Sequence, residues 1–331
     1  MWPASRRDRP KQFLPFAPGG QTLLAAAVAR GRAVAGDRVI VVTAESQRAA
    51  TEAALPGIEV LVEPVGRNTA AALGLAAALL VVRDPDAVMV VLPADQRVAD
   101  EPLLAQVLAR GLAEVEANDG IGTVGIKPTR AETGFGYLEV EAPTLGEVSP
   151  VRRFVEKPDQ ATADHMLASG TYLWNAGMFF ASARRLVAEL ETHVPPIGRA
   201  VQDIAAGRVP AADVYPTLPS ISIDHAVMER ATRVFTIPAA VGWDDIGSWA
   251  AVADVLGQDA HGNASAGNAV ILDGSNNLVI GDDTTVIATA GLSDIAIVKV
   301  GDAILVIRKS AAQDVRAIVE ALGARGLERF L

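Results

Sequence analysis

The chain contains no cysteine, which excludes disulfide bonds, thiolate metal sites and thiol nucleophiles. Positive charge is also in short supply: 29 Lys and Arg stand against 39 Asp and Glu, a formal net charge of -10. A nucleic-acid-binding role is therefore not expected, because it calls for a basic stripe on a basic domain. No apolar run is long enough to span a membrane; the longest, "TAAALGLAAALLVV" from Thr69 to Val82, is short and Ala-rich. The basic N-terminus lacks the unbroken apolar stretch and small-residue cleavage site of a signal peptide. These absences point to a soluble, cytoplasmic protein with no membrane partner. The 331 residues are enough for one large domain and a small one.

What is present is an alternation. "DRVIVVTAE" (Asp37 to Glu45), "IEVLVEP" (Ile58 to Pro64) and "AVMVVLPAD" (Ala87 to Asp95) are short, β-branched and apolar on both faces, the pattern of buried parallel strands. Ala/Leu-rich stretches between them read as helices. Strand–helix–strand repetition predicts an α/β fold, a doubly wound and mostly parallel sheet with ligands outside the carboxyl ends of its strands. Residues 1–258 form this domain, with shorter mixed strands over about 120–182 expected to make an insertion, a lid or substrate-recognition lobe above the sheet. After a Gly/Asn/Ser linker, closely spaced strands and a final helix over 265–331 predict a small β-rich domain, a sandwich or a few coils of a solenoid. Its expected role is packing and subunit contact.

Several loops carry candidate chemistry. "MWPASRRDRPKQFLPF" crowds Arg6, Arg7, Arg9 and Lys11 against one acid, Asp8, a local charge suited to a small anion. Asp95 ends a strand in "VVLPAD", where a carboxylate reaches a ligand or caps a helix. Asp245 in "GWDDIGSW" has the same two readings. If both meet over one site, they suit a hard divalent cation on phosphate oxygens. "EPVGRNTAAA" places a glycine ahead of a helix start, either an ordinary cap or a ready acceptor of anions. In "RFVEKP", Glu156 and Lys157 point to opposite faces unless the strand bends, so a solvated surface pair is the default. His165, His193, His225 and His261 lack ligand spacing.

Taken in order, "RPKQFLP", "EPVGRNTA", "VLPAD", "ETGFGYLEVE", "RFVEKP", "YLWNAGMF", "SIDHAVME" and "GWDDIGSW" resemble the bacterial mannose-1-phosphate guanylyltransferases, within the sugar-phosphate nucleotidyltransferase superfamily. The resemblance runs over essentially the whole chain. "VLPAD" and "FVEKP" mark only the superfamily, while "EPVGRNTA", "YLWNAGMF" and "SIDHAVME" are more specific.

The resemblance implies the nucleotide-diphospho-sugar transferase fold and an enzyme that transfers GMP from GTP to mannose 1-phosphate, releasing pyrophosphate, with Mg²⁺ as cofactor. It implies catalytic roles for Lys11 on the triphosphate and for Asp95 and Asp245 on the metal. Arg6 and Pro93 would bind substrate, and the loop of Glu63, Pro64, Gly66, Asn68, Thr69 and Ala70 would border the guanine. Gly136, Glu156 and Asn175 would touch the hexose, and Lys157 its phosphate. A homodimer through the C-terminal domain is expected. Ahead of "WPASR" the family pattern carries a strand and a G-G-x-G-T-R loop, and Met1 stands where it has Leu. The expectation is a natural protein longer at its N-terminus, lacking here its first strand and Gly-rich loop. Gln96 replaces the usual His after "PAD", a side chain that hydrogen-bonds but does not titrate near neutral pH. The competing readings are transfer to another hexose 1-phosphate or from another nucleotide, and a non-catalytic regulatory paralogue.

Overall fold

A computed structural model describes residues 1–331, the side chain of Gln313 excepted. The chain packs as two compact units, one of residues 27–93 and 99–243, the other of 1–26, 94–98 and 244–331.

The larger unit carries the alternation read from the sequence. Helix α1 (Leu23–Ala35), which begins in the smaller unit, leads to β1 (Ile40–Ala44), α2 (Arg48–Ala54), β2 (Glu59–Glu63), α3 (Asn68–Arg83), β3 (Val88–Val91) and α4 (Glu101–Asn118). Then come β4 (Ile121–Ile126), β5 (Gly136–Val140), β6 (Ser149–Glu156), α5 (Gln160–Ser169) and β7 (Tyr172–Ser182). Helices α6 (Ala183–His193), α7 (Pro195–Ala205) and α8 (Ala211–Val214), a π-helical turn at Asp224–Met228 and β8 (Val234–Ala239) complete it.

Strands β1 and β2 pair in parallel, and β4 pairs in parallel with β8. The six-stranded sheet has the order β3-β7-β4-β8-β6-β5, with β7 antiparallel between β3 and β4, so those two run the same way. Every residue of β4 is buried, as a central strand with both faces covered requires. The stretch 120–182, expected as a lobe above the sheet, instead supplies β4, β5, β6 and β7, four of its six strands. Their mixed texture comes from antiparallel pairing inside the sheet.

Helix α3 explains how the layer above closes. Its sequence is rich in Ala, and Ala70, Ala71, Leu75, Ala77 and Ala78 are buried. At Gly74 a Cβ would lie 2.7 Å from Leu190 and 3.5 Å from Val201, so the absent side chain lets α6 and α7 approach closely. The helices start where side-chain oxygens accept orphan backbone N–H groups. Asp100 caps α4 through Leu103 N at 3.0 Å, and Ser182 caps α6 through Arg185 N at 3.1 Å. Each such cap contributes about 1 kcal/mol.

The smaller unit gathers the N-terminal turns around α9 (Trp249–Leu256) and the C-terminal strands. Trp2, Leu14, Leu23, Ile246, Trp249, Val252, Leu278 and Val298 form its core. Trp249 Nε1 donates to Trp2 O at 2.9 Å, across 247 residues of sequence. Strands β9 (Ala264–Ala266), β10 (Ala269–Leu272), β11 (Leu278–Ile280), β12 (Ile287–Ala290), β13 (Ile295–Val300) and β14 (Ala303–Arg308) precede α10 (Val315–Ala324).

β9, β11 and β13 stack in parallel, as do β10 and β12, the geometry of solenoid coils rather than a sandwich. An asparagine ladder joins successive coils: Asn263 Oδ1 accepts from Asn277 N at 3.0 Å, and Asn277 Oδ1 from Ile295 N at 3.2 Å. Buried amides so placed satisfy backbone groups that a turn would otherwise orphan.

Among the described residues no helix is long and apolar enough to cross a membrane.

Candidate active site

In the smaller unit, Lys11, Asp95 and Asp245 come together. Lys11 opens a short 3₁₀ turn (Lys11–Phe13) whose chain is fixed by the buried Leu14. Its Nζ donates to Asp95 Oδ2 at 3.0 Å and to the carbonyl of Asp245. Asp95 arrives four residues after β3, and its loop is tied to the Asp245 loop by a two-way backbone bridge. Arg97 N donates to Asp244 O at 2.9 Å and Asp244 N to Arg97 O at 3.0 Å.

Neither aspartate spends itself as a helix cap. Asp100 holds that position for α4, and Ser248 holds it for α9 through Ala251 N at 3.4 Å. Asp245 Oδ1 accepts from Gly247 N at 3.1 Å within its own tight turn. In that turn the buried Ile246 adopts φ 47°, a left-handed conformation that costs a β-branched residue on the order of 1–3 kcal/mol. Burial pushes the Asp245 carboxyl above the usual carboxylate range; the Lys11 ammonium pulls it back, and Asp244 adds to the rise.

The larger unit holds a second cluster. At Gly136, opposite Glu156 in the β5–β6 ladder, a Cβ would stand 2.6 Å from Glu156 Oε2 and 3.4 Å from Asn175 Cβ. Glycine there keeps open the face that Glu156 and Asn175 share. Lys157 has φ 47°, which bends the strand end and brings its Nζ to Glu156 Oε1 at 2.5 Å. The default of a solvated surface pair does not hold, because the Glu156 side chain is only 7 % exposed.

Asn175 is locked: its Oδ1 accepts from Thr123 Oγ1 at 2.7 Å and from Gly177 N at 3.0 Å. A backbone N–H can only donate, so this atom is the oxygen, and Nδ2 faces Asp224 Oδ1 at 3.1 Å. Burial, and then Glu156, push the Asp224 carboxyl up to about 6, against its own backbone N–H, Lys157 and His225. Glu229 Oε1 accepts from Glu156 N at 3.2 Å, and its Oε2 lies 3.1 Å from His225 Nδ1.

Asp224, Thr123 and Glu229 were not among the expected site residues. Asp224 and Glu229 sit in "SIDHAVME", where the acids were the available signal; Thr123 lies in a plain apolar strand and gives none.

The loop from Glu63 to Ala70 is in the larger unit. Thr69 Oγ1 accepts from Ile223 N at 2.8 Å and Ala70 N donates to Ile221 O at 3.2 Å, so the helix start is pinned to the segment leading into Asp224. Asn68 is exposed at φ 63°, its Oδ1 on Thr69 N at 2.7 Å. Gly66 is exposed, Pro64 and Pro93 are half-buried, and Ala70 is fully buried.

Two expected substrate contacts are otherwise engaged. Glu63 is buried and accepts from Tyr215 Oη at 2.7 Å; burial raises its proton affinity, which the Tyr215 hydroxyl partly offsets. Arg6 donates to Asp302 Oδ1 at 2.7 Å and to Val300 O at 3.2 Å. Its guanidinium therefore ties the N-terminal turn to the solenoid.

Comparison with known proteins gives the family of the chain. Residues 1–261 match the nucleotidyl transferase family, and residues 267–322 match the mannose-phosphate isomerase/GMP-like β-helix domain. The chain is 38 % identical over 338 residues to the xanthan biosynthesis protein XanB of Xanthomonas campestris pv. campestris strain B100, covering 98 % of this chain and 71 % of the relative. It is 35 % identical over 340 residues to a mannose-1-phosphate guanylyltransferase of Salmonella muenchen, covering 98 % and 71 %. A crystal structure titled mannose-1-phosphate geranyltransferase, from Thermus thermophilus, superposes with a TM-score of 0.90 at 36 % identity, covering 98 % of this chain and 95 % of that one.

Proposed function

We propose a specific reaction for this chain, which belongs to the nucleotidyl transferase family of enzymes: transfer of GMP from GTP to mannose 1-phosphate. A phosphate oxygen of mannose 1-phosphate forms a bond to the α-phosphorus of GTP, the α–β bridge breaks, and pyrophosphate leaves beside GDP-mannose. No covalent bond to the protein is required, so positioning and charge neutralisation supply the catalysis.

The observation that carries this reading is the Lys11–Asp95–Asp245 cluster, whose two carboxylates are not helix caps and whose loops are locked together by the Arg97–Asp244 bridge. The mannose-1-phosphate guanylyltransferase of Salmonella muenchen supports the choice of sugar and base.

Asp95 and Asp245 offer hard oxygen donors that fit Mg²⁺, which is commonly held by one or two carboxylates plus substrate phosphates. Among the described residues no three or more acids and histidines converge into a cage, so phosphate oxygens would complete the metal's shell. When bound, Mg²⁺ would neutralise charge on those oxygens. Lys11, from the N-terminal 3₁₀ turn, supplies a cation beside these loops, and its hydrogen bond holds Asp95 in place.

In the other unit, Glu156 and Asn175 present an acceptor and a donor suited to hexose hydroxyls, with Lys157 beside them for the sugar phosphate. The exposed Val270, Leu272, Ile304 and Val306 on the solenoid support a homodimer through that domain.

The test is incubation with GTP, Mg²⁺ and mannose 1-phosphate, following GDP-mannose and pyrophosphate, beside parallel reactions with UTP, ATP and glucose 1-phosphate. Production of GDP-mannose at least tenfold faster than any other product is expected. Faster turnover with another pair would replace the substrate assignment.

A further inference from the structure

Resting on the reading of this cluster as a hexose 1-phosphate site, we propose that Asp224 is a further specificity-determining residue. Its carboxylate accepts a hydrogen bond from a sugar hydroxyl next to the one that Glu156 accepts, with the Asn175 amide between them.

The geometry begins with Asn175. Its amide oxygen is spent on Thr123 and Gly177, and one of its two N–H bonds goes to Asp224, so its orientation is fixed before any ligand arrives. Asp224 receives that single side-chain hydrogen bond, on Oδ1; its other oxygen has no side-chain partner among the described residues.

The residue sits at the first position of a π-helical turn, an uncommon conformation found often at functional sites. That turn is anchored from both ends. Ile223 N donates to Thr69 Oγ1, and Ala226, Val227 and Met228 are buried in the core. The backbone at Asp224 is therefore anchored on both sides.

Burial does not favour an ionised group here. The charged groups around it are Glu156 and Lys157 from the end of β6 and His225 from its own turn, and burial beside Glu156 works against its ionised form. Two acids on one partly desolvated face weaken the fold, and such pairs collect at functional sites. Hydroxyl donors offset that cost. A pyranose with adjacent hydroxyls supplies two donors at the spacing of neighbouring ring carbons, one for each acid, and one of those hydroxyl oxygens accepts from the remaining Asn175 N–H. A site with two acceptors and one donor rejects a sugar that lacks one of those hydroxyls, because a buried polar group is then left unpaired.

The experiment compares wild type, Asp224→Asn and Asp224→Ala with GTP and mannose 1-phosphate, then with the 2-, 3-, 4- and 6-deoxy forms of the sugar phosphate. Both variants should raise KM for mannose 1-phosphate at least tenfold and leave KM for GTP within twofold, with Asp224→Asn the milder. One deoxy sugar should lose tenfold or more in kcat/KM with wild type and less than twofold further with Asp224→Ala. The proposal is overturned if the variants keep the wild-type KM for the sugar, or if every deoxy form loses the same factor in Asp224→Ala as in wild type. It is also overturned if the KM values for sugar and GTP rise together, which would mark a merely structural residue. If wild type prefers a different hexose 1-phosphate, the mannose assignment fails by itself, and the same variants and deoxy forms of that sugar decide the role of Asp224.

Discussion

Replacing Asp224 by Asn should make the protein more stable at neutral pH while weakening its sugar site. Asn keeps an acceptor for Asn175 Nδ2 and removes a charge that the surroundings oppose. The folded chain holds the Asp224 proton more tightly than an unfolded chain, at about 6 against 3.8. This carboxyl therefore contributes stability that is full below about pH 4 and is lost as pH rises through 6. With 1.36 kcal/mol for each tenfold change in proton affinity, the loss is about 1.5 kcal/mol at pH 5 and about 3 kcal/mol at pH 7.5.

Asn does not titrate, so its advantage over wild type should grow by about 1–2 kcal/mol between those two pH values. Urea unfolding at pH 5.0, 6.0 and 7.5, followed by tryptophan fluorescence, measures it; Trp174 and Trp243 both lie in the same compact unit as Asp224. Glu156 contributes to the rise, so Glu156→Gln should take over part of the gain, and the double variant should fall short of the sum of the singles. An advantage that stays constant with pH, or an Asn variant less stable than wild type at pH 7.5, would refute the reasoning.

Asp95→Asn and Asp245→Asn should each lower Mg²⁺-dependent turnover at least a hundredfold with the unfolding transition unchanged; near-normal GDP-mannose synthesis by either would remove that residue from the metal. Lys157→Ala should raise KM for mannose 1-phosphate at least tenfold and that for GTP less than twofold, and a change confined to GTP would return Lys157 to the solvent. Arg6→Ala should leave KM for GTP unaltered and destabilise the smaller unit by about 1 kcal/mol, the net worth of its hydrogen bond to the part-buried Val300 carbonyl; a large rise in KM for GTP would place Arg6 at the nucleotide.

Much of the fold was legible because it follows from local period. The three early strands appear as β1, β2 and β3 within the expected runs, and the Ala-rich stretch after Gly66 is α3. What the sequence hid is long-range. No local pattern says that Trp2 will pack on Trp249, so the grouping of residues 1–26 with the solenoid, and of the Asp95 loop with both, could not be read. The same blindness produced the lid over 120–182. Short amphipathic strands look alike whether they cap a sheet or enter it, and here Phe179 and Phe180 of β7 pair with both β3 and β4.

The site divides along a similar line. Residue type and motif were enough to single out Lys11, Asp95 and Asp245, but the choice between ligand and helix cap lay in backbone geometry. The helix caps are Asp100 and Ser248, which stand only five and three residues further on. Strand alternation separates Glu156 from Lys157, and the left-handed φ at Lys157 overrides it.

Asp224 escaped because an acid in a short helical motif is ordinarily a solvated one. A π-helical turn closes i→i+5 hydrogen bonds, here Glu229 N to Asp224 O, where an α-helix closes i→i+4, so the face a residue occupies there is not the one that α-helical spacing predicts. At Lys157 and Asp224 the local rule was sound, and an unusual backbone conformation changed where the side chain lies.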